Sequence, residues 1–282
     1  MLSLASAPHV AHRHGVKSPA YRPSVLAYHH LSLTRESGPV KDSVYLGDFE
    51  RQMDLVKRHF PVLSLNSLVS AMKAGETIPA RTVVITFDDG YRSTYTRAQP
   101  ILLERGIKAT VFLATDFIGR SAPFPWLPPG SDDDSLPMTW QEAAQMHVEG
   151  MEVGSHTATH RFPPRMTGVE LEDELLRSRE SILGRLGRPP VALALPFSFP
   201  LTHRHWPFFK ANLLTALRRA SYTCCCTLQR GPVSDGEDPV ILPRVAVMRH
   251  DGIPAVYAKA LGLYRYTSLP QQLFQGYFKK YG

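Results

Sequence analysis

The chain has 282 residues, of which 43% are hydrophobic and 20% charged, a composition typical of a globular protein with a sizeable core. Its net charge of +7 fits a solvated basic surface or an anionic partner, but no Lys/Arg block marks a nucleic-acid-binding arm, so no nucleic-acid partner is expected. No run approaches the ~18 apolar residues of a membrane span, so we expect no transmembrane segment.

The compartment is indicated by the N-terminus and the cysteines. The first twenty residues contain no apolar core of signal-peptide length after a basic start, so residues 1–20 are predicted to be a disordered leader. The contiguous cysteines, Cys224–Cys226, lack Cys-x-x-Cys spacing, and we interpret them as small, reduced strand residues. Together these features predict a cytoplasmic protein.

Apolar strand-like runs alternate with helical patterns along the chain, which predicts an α/β fold with a largely parallel sheet. Strands are predicted over residues 24–28, 62–65, 82–86, 109–113, 151–154, 191–195, 222–228, 240–242 and 245–247. Helices are predicted over 46–60, 66–74, 94–105, 140–149 and 170–186, followed by one that ends at Arg219. Asp48, Asn66 and Thr139 are the predicted helix starts.

Two irregular segments interrupt this alternation. Residues 121–137 carry five prolines, and residues 199–212 are rich in Pro, His and aromatic residues. Both are predicted to be loops over one end of the sheet. Each contains a tryptophan, Trp126 or Trp206, that could stack on the face of a sugar ring.

Chemistry-bearing side chains follow two of the predicted strands. Thr86–Gly90 reads Thr-Phe-Asp-Asp-Gly, and Ser155–His160 contains a His-x-x-x-His pair. The carboxyl ends of parallel strands meet at one edge of the sheet, where one carboxylate and two imidazoles could bind a divalent ion. The other carboxylate would then be free to take a proton from water. Asp-Gly is also a common turn, but the combination at strand ends favours a metal centre.

In combination and order, these motifs resemble those of the polysaccharide deacetylases, the NodB-homology family or carbohydrate esterase family 4. The resemblance runs from about Ser24 to Met248 and includes Gly106–Phe112. It implies a distorted (β/α)7 barrel with one divalent metal ion, which hydrolyses an acetyl group from a sugar, usually at the 2-amino position. On this basis we expect one domain over residues 21–268 and a C-terminal tail over 269–282.

Matched to the family motifs, Asp89, His156 and His160 correspond to the metal ligands, and Asp88 corresponds to the general base. Zn²⁺ is the expected ion, because two imidazoles and a carboxylate suit it. Co²⁺, Ni²⁺ and Mn²⁺ could occupy the same ligands.

The third motif departs from the family. The family has Arg-x-Pro-Tyr or a variant that ends in Pro-Tyr-Gly, whereas this chain has Ala-Leu-Pro-Phe-Ser at 194–198. Phe197 retains the backbone N–H that would stabilise an oxyanion, and Pro196 and Phe197 are expected to contact substrate. Arg244, in a Leu-Pro-Arg segment, resembles the arginine that orients the base, here Asp88.

The proton for the departing amine needs a donor. The late Leu-x-His motif of many relatives is absent, and His250 is a weak candidate. The segment Tyr28-His29 resembles the N-terminal Tyr-His of poly-N-acetylglucosamine deacetylases, whose motifs are circularly permuted. That resemblance makes His29 the acid, although a structural histidine is the alternative. His30 would point to the opposite side of an extended strand.

We therefore expect a metal-dependent hydrolase that removes N-acetyl groups from an amino-sugar glycan or glycan precursor. O-deacetylation or deformylation of a sugar uses the same chemistry and stays open. A glycan-binding relative with weakened catalysis is a further alternative, motivated by the altered third motif. The expected partner is an acetylated carbohydrate, and peripheral association with a lipid-linked substrate is compatible with the chain.

Overall fold

A computed structural model of the chain describes residues 23–35, 40, 42–127, 133–229 and 240–263. The predicted leader, the predicted tail and both predicted limits of the domain lie outside the described residues.

The described part of the chain contains ten strands and seven α-helices. The strands are β1 Ser24–Tyr28, β2 Leu31–Ser32, β3 Val44–Tyr45, β4 Val83–Phe87, β5 Ala109–Leu113, β6 Glu152–Ser155, β7 Leu193–Ala194, β8 Cys225–Thr227, β9 Ile241–Pro243 and β10 Val245–Ala246. The helices are α1 Leu46–His59, α2 Leu65–Ala74, α3 Gln99–Glu104, α4 Trp140–Val148, α5 Gly168–Leu186, α6 Phe209–Arg219 and α7 Ile253–Ala260. Within these ranges, no helix has the length and apolar character needed to cross a membrane.

Eight parallel strands form a nearly closed barrel, which confirms the predicted fold class. Their order is β10-β1-β4-β5-β6-β7-β8-β9, and β2 pairs with β3 in a separate small sheet. The two ends of the sheet, β9 and β10, follow each other along the chain with only Arg244 between them. All eight strands therefore direct their carboxyl ends toward one face of the barrel.

The strands are buried on both sides because the barrel has an inner and an outer core. Val25, Val84, Phe112 and Cys226 come from four different strands and belong to one buried cluster, which also includes Leu68 of α2. Alternate residues of β1, β4 and β5 belong to a second cluster, with residues of α1 and α7. This two-sided burial explains the continuous apolar runs in the sequence.

Two helix starts follow the capping chemistry of the sequence. Thr139 and Thr167 each accept a hydrogen bond from the backbone N–H three residues later, and Glu142 and Glu170 complete the two capping boxes. The start of α4 is as predicted, whereas α5 begins at Gly168, two residues before the predicted start.

The prediction for residues 62–74 was partly wrong. Val62 makes only an isolated bridge to Val83, and α2 already begins at Leu65. Ser64 caps this helix by accepting from Ser67 N at 3.2 Å, so the predicted cap, Asn66, lies inside the first turn. Ser64 and Asn66 are both residue types that commonly cap helices. The helix begins after the earlier one, Ser64, which allows Leu65 and Leu68 to be buried.

Four other features also differ from the prediction. The helix predicted from Thr94 contains a π-helical turn, Thr94–Ala98, before α3. The strand predicted over 191–195 is reduced to β7, and the irregular segment predicted to Asn212 ends where α6 begins at Phe209. Asp48 lies in the first turn of α1, whose N-cap position is Tyr45.

Candidate metal centre

The carboxylates of the first motif lie directly after β4. Asp88 N donates to Tyr28 O of the neighbouring strand at 2.9 Å, and Asp89 then adopts a φ of 70°. Gly90 has a φ of 87°, and a Cβ there would lie 2.7 Å from Ile118 Cδ1 and 2.9 Å from Leu113 Cδ2. Only glycine fits this position, so the Asp-Asp-Gly sequence fixes the sharp turn that directs both carboxylates to the mouth of the barrel.

The three predicted ligands converge on one point. Asp89 Oδ1 lies 3.3 Å from His156 Nε2 and 3.2 Å from His160 Nε2. One ligand atom from each residue falls within 4.8 Å of the others, and Asp89 and His156 are buried. Among the described residues, no hydrogen-bond partner is found for the buried Asp89 Oδ1. A buried oxygen that no donor satisfies, facing two imidazole nitrogens, fits a divalent cation.

His156 is held in the tautomer that a metal ligand needs. Its Nδ1 lies 2.9 Å from Ala194 O in β7. Because a carbonyl oxygen can only accept, Nδ1 carries a proton, and Nε2, which faces Asp89, is the nitrogen available to a metal ion. The third-motif segment therefore orients a ligand from the second motif.

His160 lies between two aromatic rings. The ring centroid of Trp126 is 4.3 Å from that of the imidazole, and the ring centroid of Phe197 is 5.0 Å away. Burial lowers the pKa of His160. The neutral imidazole that results is the form that binds metal ions.

The candidate base, Asp88, forms a buried ion pair. Arg244 donates from Nη1 to Asp88 Oδ1 at 2.6 Å and from Nη2 to Oδ2 at 2.7 Å, and its Nη1 also bonds Thr86 Oγ1 at 3.0 Å. Burial favours the protonated carboxyl, but the guanidinium of Arg244 and the nearby His156 outweigh it and lower the pKa of Asp88. The guanidinium thus fixes both oxygens of the carboxylate.

His29 lies beside Asp88 at the carboxyl end of β1. Its Nε2 is 3.9 Å from Asp88 Oδ2, and its buried Nδ1 has no hydrogen-bond partner within the part of the chain that the structure describes. His30 lies elsewhere, with Nδ1 2.8 Å from Ser43 Oγ and its ring against Tyr91. His250 is exposed in a turn.

The altered third motif places Phe197 at the mouth of the site. Phe197 has a φ of 65°, and its ring is 39% exposed next to His160. Its backbone N–H makes no hydrogen bond to another residue in the described ranges. Pro196 precedes it and is buried. The positive φ at this non-glycine residue marks a strained backbone next to His160.

The two tryptophans occupy different positions. Trp126 packs on His160, is 37% exposed and donates from Nε1 to Tyr91 Oη at 2.9 Å. Trp206 bonds Pro200 O at 3.0 Å, and its ring approaches Phe162 rather than a ligand. Trp126 therefore borders the metal ligands, and Trp206 does not contact them.

Two further residues at the site were not singled out in the sequence. Tyr91 is buried beside Asp89, and burial together with the Asp89 carboxylate raises its pKa. Glu174 is buried and accepts hydrogen bonds from Ala158 and Thr159, between the two histidine ligands. Glu174 carries a sequence signal, because a carboxylate interrupts the apolar face of α5.

With this geometry in place, the chain can be compared with known proteins. A sequence model described as polysaccharide deacetylase matches residues 75–224, which is more than half of the chain. The chain belongs to the polysaccharide deacetylase family. The match spans both carboxylates of the first motif, both histidines of the second and the altered third motif.

A curated relative and several solved structures are similar to this family member. "Putative polysaccharide deacetylase YxkH" of Bacillus subtilis (strain 168) is 24% identical over 184 residues, which is 65% of this chain and 56% of that protein. The chain thus matches just over half the length of this relative.

The similar solved structures share the fold over most of the chain. Streptococcus pyogenes deacetylase PplD, in complex with acetate, has 20% identity and a TM-score of 0.70 over 86% of this chain and 99% of its own. IcaB from Ammonifex degensii has 22% identity and a TM-score of 0.69, and the match covers 86% of this chain and 97% of IcaB. A de-N-acetylase from Aggregatibacter actinomycetemcomitans has 19% identity and a TM-score of 0.69, and the match covers 84% of this chain and 99% of that protein's chain.

Proposed function

We propose that this family member is a metal-dependent hydrolase that removes N-acetyl groups from an amino-sugar glycan or glycan precursor. The observation that carries the proposal is the convergence of Asp89, His156 and His160 beside an arginine-paired carboxylate. The names of PplD, a deacetylase, and of the Aggregatibacter de-N-acetylase support the same reaction class.

Asp89, His156 and His160 would hold the ion, and Zn²⁺ is our first choice because two imidazoles and a carboxylate suit it. Co²⁺, Ni²⁺ and Mn²⁺ are the alternatives. When bound, such an ion supplies Lewis-acid activation of water and of an acyl carbonyl.

Asp88 is the proposed proton acceptor. It sits next to the ligand Asp89, and both of its oxygens are fixed by Arg244. A carboxylate held in one orientation can take the proton of an attacking water without reorganisation. Arg244 does not face substrate, since it is fully buried, and we assign it the role of orienting Asp88.

Phe197 and His29 would complete the reaction at the two ends of the scissile amide. The free N–H of Phe197 is the proposed donor to the developing oxyanion. His29 is the proposed donor to the departing amine, because its Nε2 lies 3.9 Å from Asp88 and faces the same space. Both assignments require the neutral sugar amide to bind between these groups.

The exposed aromatic rings support a carbohydrate substrate. Trp126 and Phe197 flank His160, with 37% and 39% of their surfaces exposed. Aromatic faces of this kind stack on the apolar faces of sugar rings, and Pro196 would shape the floor beside Phe197. Trp206 would contact only a longer glycan. Association with a lipid-linked substrate and a cytoplasmic location stay predictions.

The test is acetate release from N-acetylglucosamine oligomers by the purified chain, measured after chelation and after return of Zn²⁺. We expect release that requires the ion and that falls with Asp88→Asn. O-acetylated and N-formylated sugars, assayed in parallel, distinguish the alternative leaving groups. Tight, metal-independent glycan binding with no product from any of these substrates would contradict the proposal and favour a glycan-binding protein.

A further inference from the structure

The segment that carries both histidine ligands, His156–His160, has a strained backbone. Thr157 has a φ of 65° and His160 a φ of 55°, and neither is glycine. A positive φ at such residues is strained and persists only where the surroundings impose it. A β-branched residue such as Thr157 is particularly unfavourable there. The segment therefore needs an external anchor to hold its shape.

Every backbone N–H of the segment has an acceptor in the structure. The donors and acceptors are His156 N to Leu113 O at 2.8 Å, Thr157 N to Ser155 Oγ at 3.2 Å, Ala158 N to Glu174 Oε2 at 3.0 Å, Thr159 N to Glu174 Oε2 at 2.9 Å, and His160 N to Thr157 Oγ1 at 3.2 Å. Glu174 thus accepts from the backbone N–H groups of Ala158 and Thr159, and its Oε1 also accepts from Thr159 Oγ1 at 2.5 Å.

Glu174 lies on the rigid helix α5 and is itself buried, with 1% of its surface exposed. A buried carboxylate is costly unless donors satisfy it, and the segment supplies three. The guanidinium of Arg161 adds a positive charge, with its Nε 3.8 Å from Glu174 Oε1. One turn further along α5, Ser178 Oγ lies 2.6 Å from Ser155 Oγ at the end of β6. The helix is therefore fixed to the strand that leads into the ligand segment.

We propose that Glu174 is a positioning residue that sets the affinity of the metal centre. Its carboxylate holds Ala158 and Thr159 in place, so that the strained His160 presents Nε2 to the same point as His156. This inference rests on the metal centre of the proposed function. It assigns no contact between Glu174 and the ion or the substrate.

The competing explanation is that Glu174 only stabilises the fold, and Glu152 provides a matched control. Glu152 is in β6, at the opposite end of the barrel from the ligands. Its carboxylate accepts from Asn66 N at 3.2 Å and from Thr110 Oγ1 at 2.7 Å, so it also anchors a backbone N–H and a threonine hydroxyl. Loss of either glutamate should lower stability, but only loss of Glu174 should affect the metal ligands.

The experiment measures the Zn²⁺ affinity of the full chain by competition with a chelator, and the thermal midpoint of the metal-free protein. We expect Glu174→Ala to weaken Zn²⁺ binding by about 10- to 100-fold, as loss of a group that orients metal ligands does elsewhere. Glu174→Gln should recover most of the affinity, because its amide oxygen can accept both backbone N–H groups while its NH₂ faces Thr159 Oγ1. Glu152→Ala should lower the midpoint and leave the affinity within about twofold.

Thr159→Val is the second variant, and it tests the same inference if Glu174→Ala does not fold. It removes one of the three donors to Glu174, and we expect a smaller loss of Zn²⁺ affinity in the same direction, with a changed absorption spectrum of the Co²⁺-loaded protein.

Three outcomes would overturn the inference. Affinity equal to the parent chain in both Glu174→Ala and Thr159→Val would show that the anchor does not matter. An equal loss of affinity in Glu152→Ala would show a general effect of stability. A parent chain that binds none of Zn²⁺, Co²⁺, Ni²⁺ and Mn²⁺ would remove the proposed function as well, which separates that failure from the first two.

Discussion

The barrel consists of two unequal arcs. The long-strand arc, β1, β4, β5 and β6, has strands of four or five residues, and its register continues over three to five pairs between neighbours. The short-strand arc, β7, β8, β9 and β10, has strands of two or three residues. The long-strand arc presents the candidate metal ligands and Asp88. The short-strand arc leads into Phe197 and Arg244.

We interpret this difference in strand length as a difference in what each arc contributes to the site. A long hydrogen-bonded register fixes the position of a side chain at the strand end, which suits groups that must meet within a few tenths of an ångström. Short strands leave more of the backbone to loops, where the shape of a substrate site can vary. If this is correct, substitutions at the ends of the long strands should cost the most activity.

The largest effect is expected from Asp88→Asn. This change keeps the shape of the side chain but removes the proton acceptor, so acetate release should fall by about 10³- to 10⁴-fold. Zn²⁺ content should be retained, because Asp89, His156 and His160 are unchanged. Activity within tenfold of the parent chain would contradict the role of Asp88.

His29→Ala tests the other long-strand position. We expect turnover of an N-acetyl substrate to fall by about 10²-fold, because the amine would depart without a proton. An acetyl ester with a good leaving group should be affected much less. His250→Ala is the control, since its ring is exposed in a turn and its loss should leave both rates unchanged. Equal losses for amide and ester would remove His29 from this role.

Arg244→Lys tests the contact between the arcs. Lysine keeps the charge but loses the two-pronged geometry that bonds both oxygens of Asp88, so we expect kcat to fall by roughly tenfold with KM little changed. Unfolding free energy should also fall by about 2 kcal/mol, because a hydrogen bond between charged groups is lost. Unchanged kcat with lowered stability would reduce Arg244 to a structural role.

The smallest effect is expected from Phe197→Tyr in the short-strand arc. The backbone N–H is retained and the added phenol restores the family residue, so kcat should change by less than about threefold, with any effect mainly on KM. A change of 10²-fold in kcat would show that the ring, and not the backbone donor, takes part in the reaction.

The sequence predicted the long-strand arc better than the short-strand arc. β1, β4 and β5 are mostly apolar in sequence and buried throughout, and their ends could be placed to within one residue. Val191–Leu195 has the same apolar character, yet β7 keeps only two residues. Its limits depend on pairing with β6 and β8, which single-strand periodicity does not contain.

Prediction of the candidate site from the sequence was limited in the same way. Asp88, Asp89, His156 and His160 were found because each follows a strand in a recognisable motif. Glu174 was missed because a glutamate on a helix is normally solvated, and its burial becomes evident only when α5 packs against the ligand segment. Its position between Leu171 and Leu175 was the available signal.

Because Arg244 comes late in the chain, the buried ion pair with Asp88 can form only after most of the barrel has been synthesised. It enters the chain 156 residues after Asp88, yet it is the group that neutralises that carboxylate in the interior. A nascent or shortened polypeptide that ends before β9 would enclose the Asp88 carboxylate without its guanidinium partner, which is unfavourable. Burial of Asp88 in its charged form therefore depends on Arg244, which lies between the two strands at the ends of the sheet.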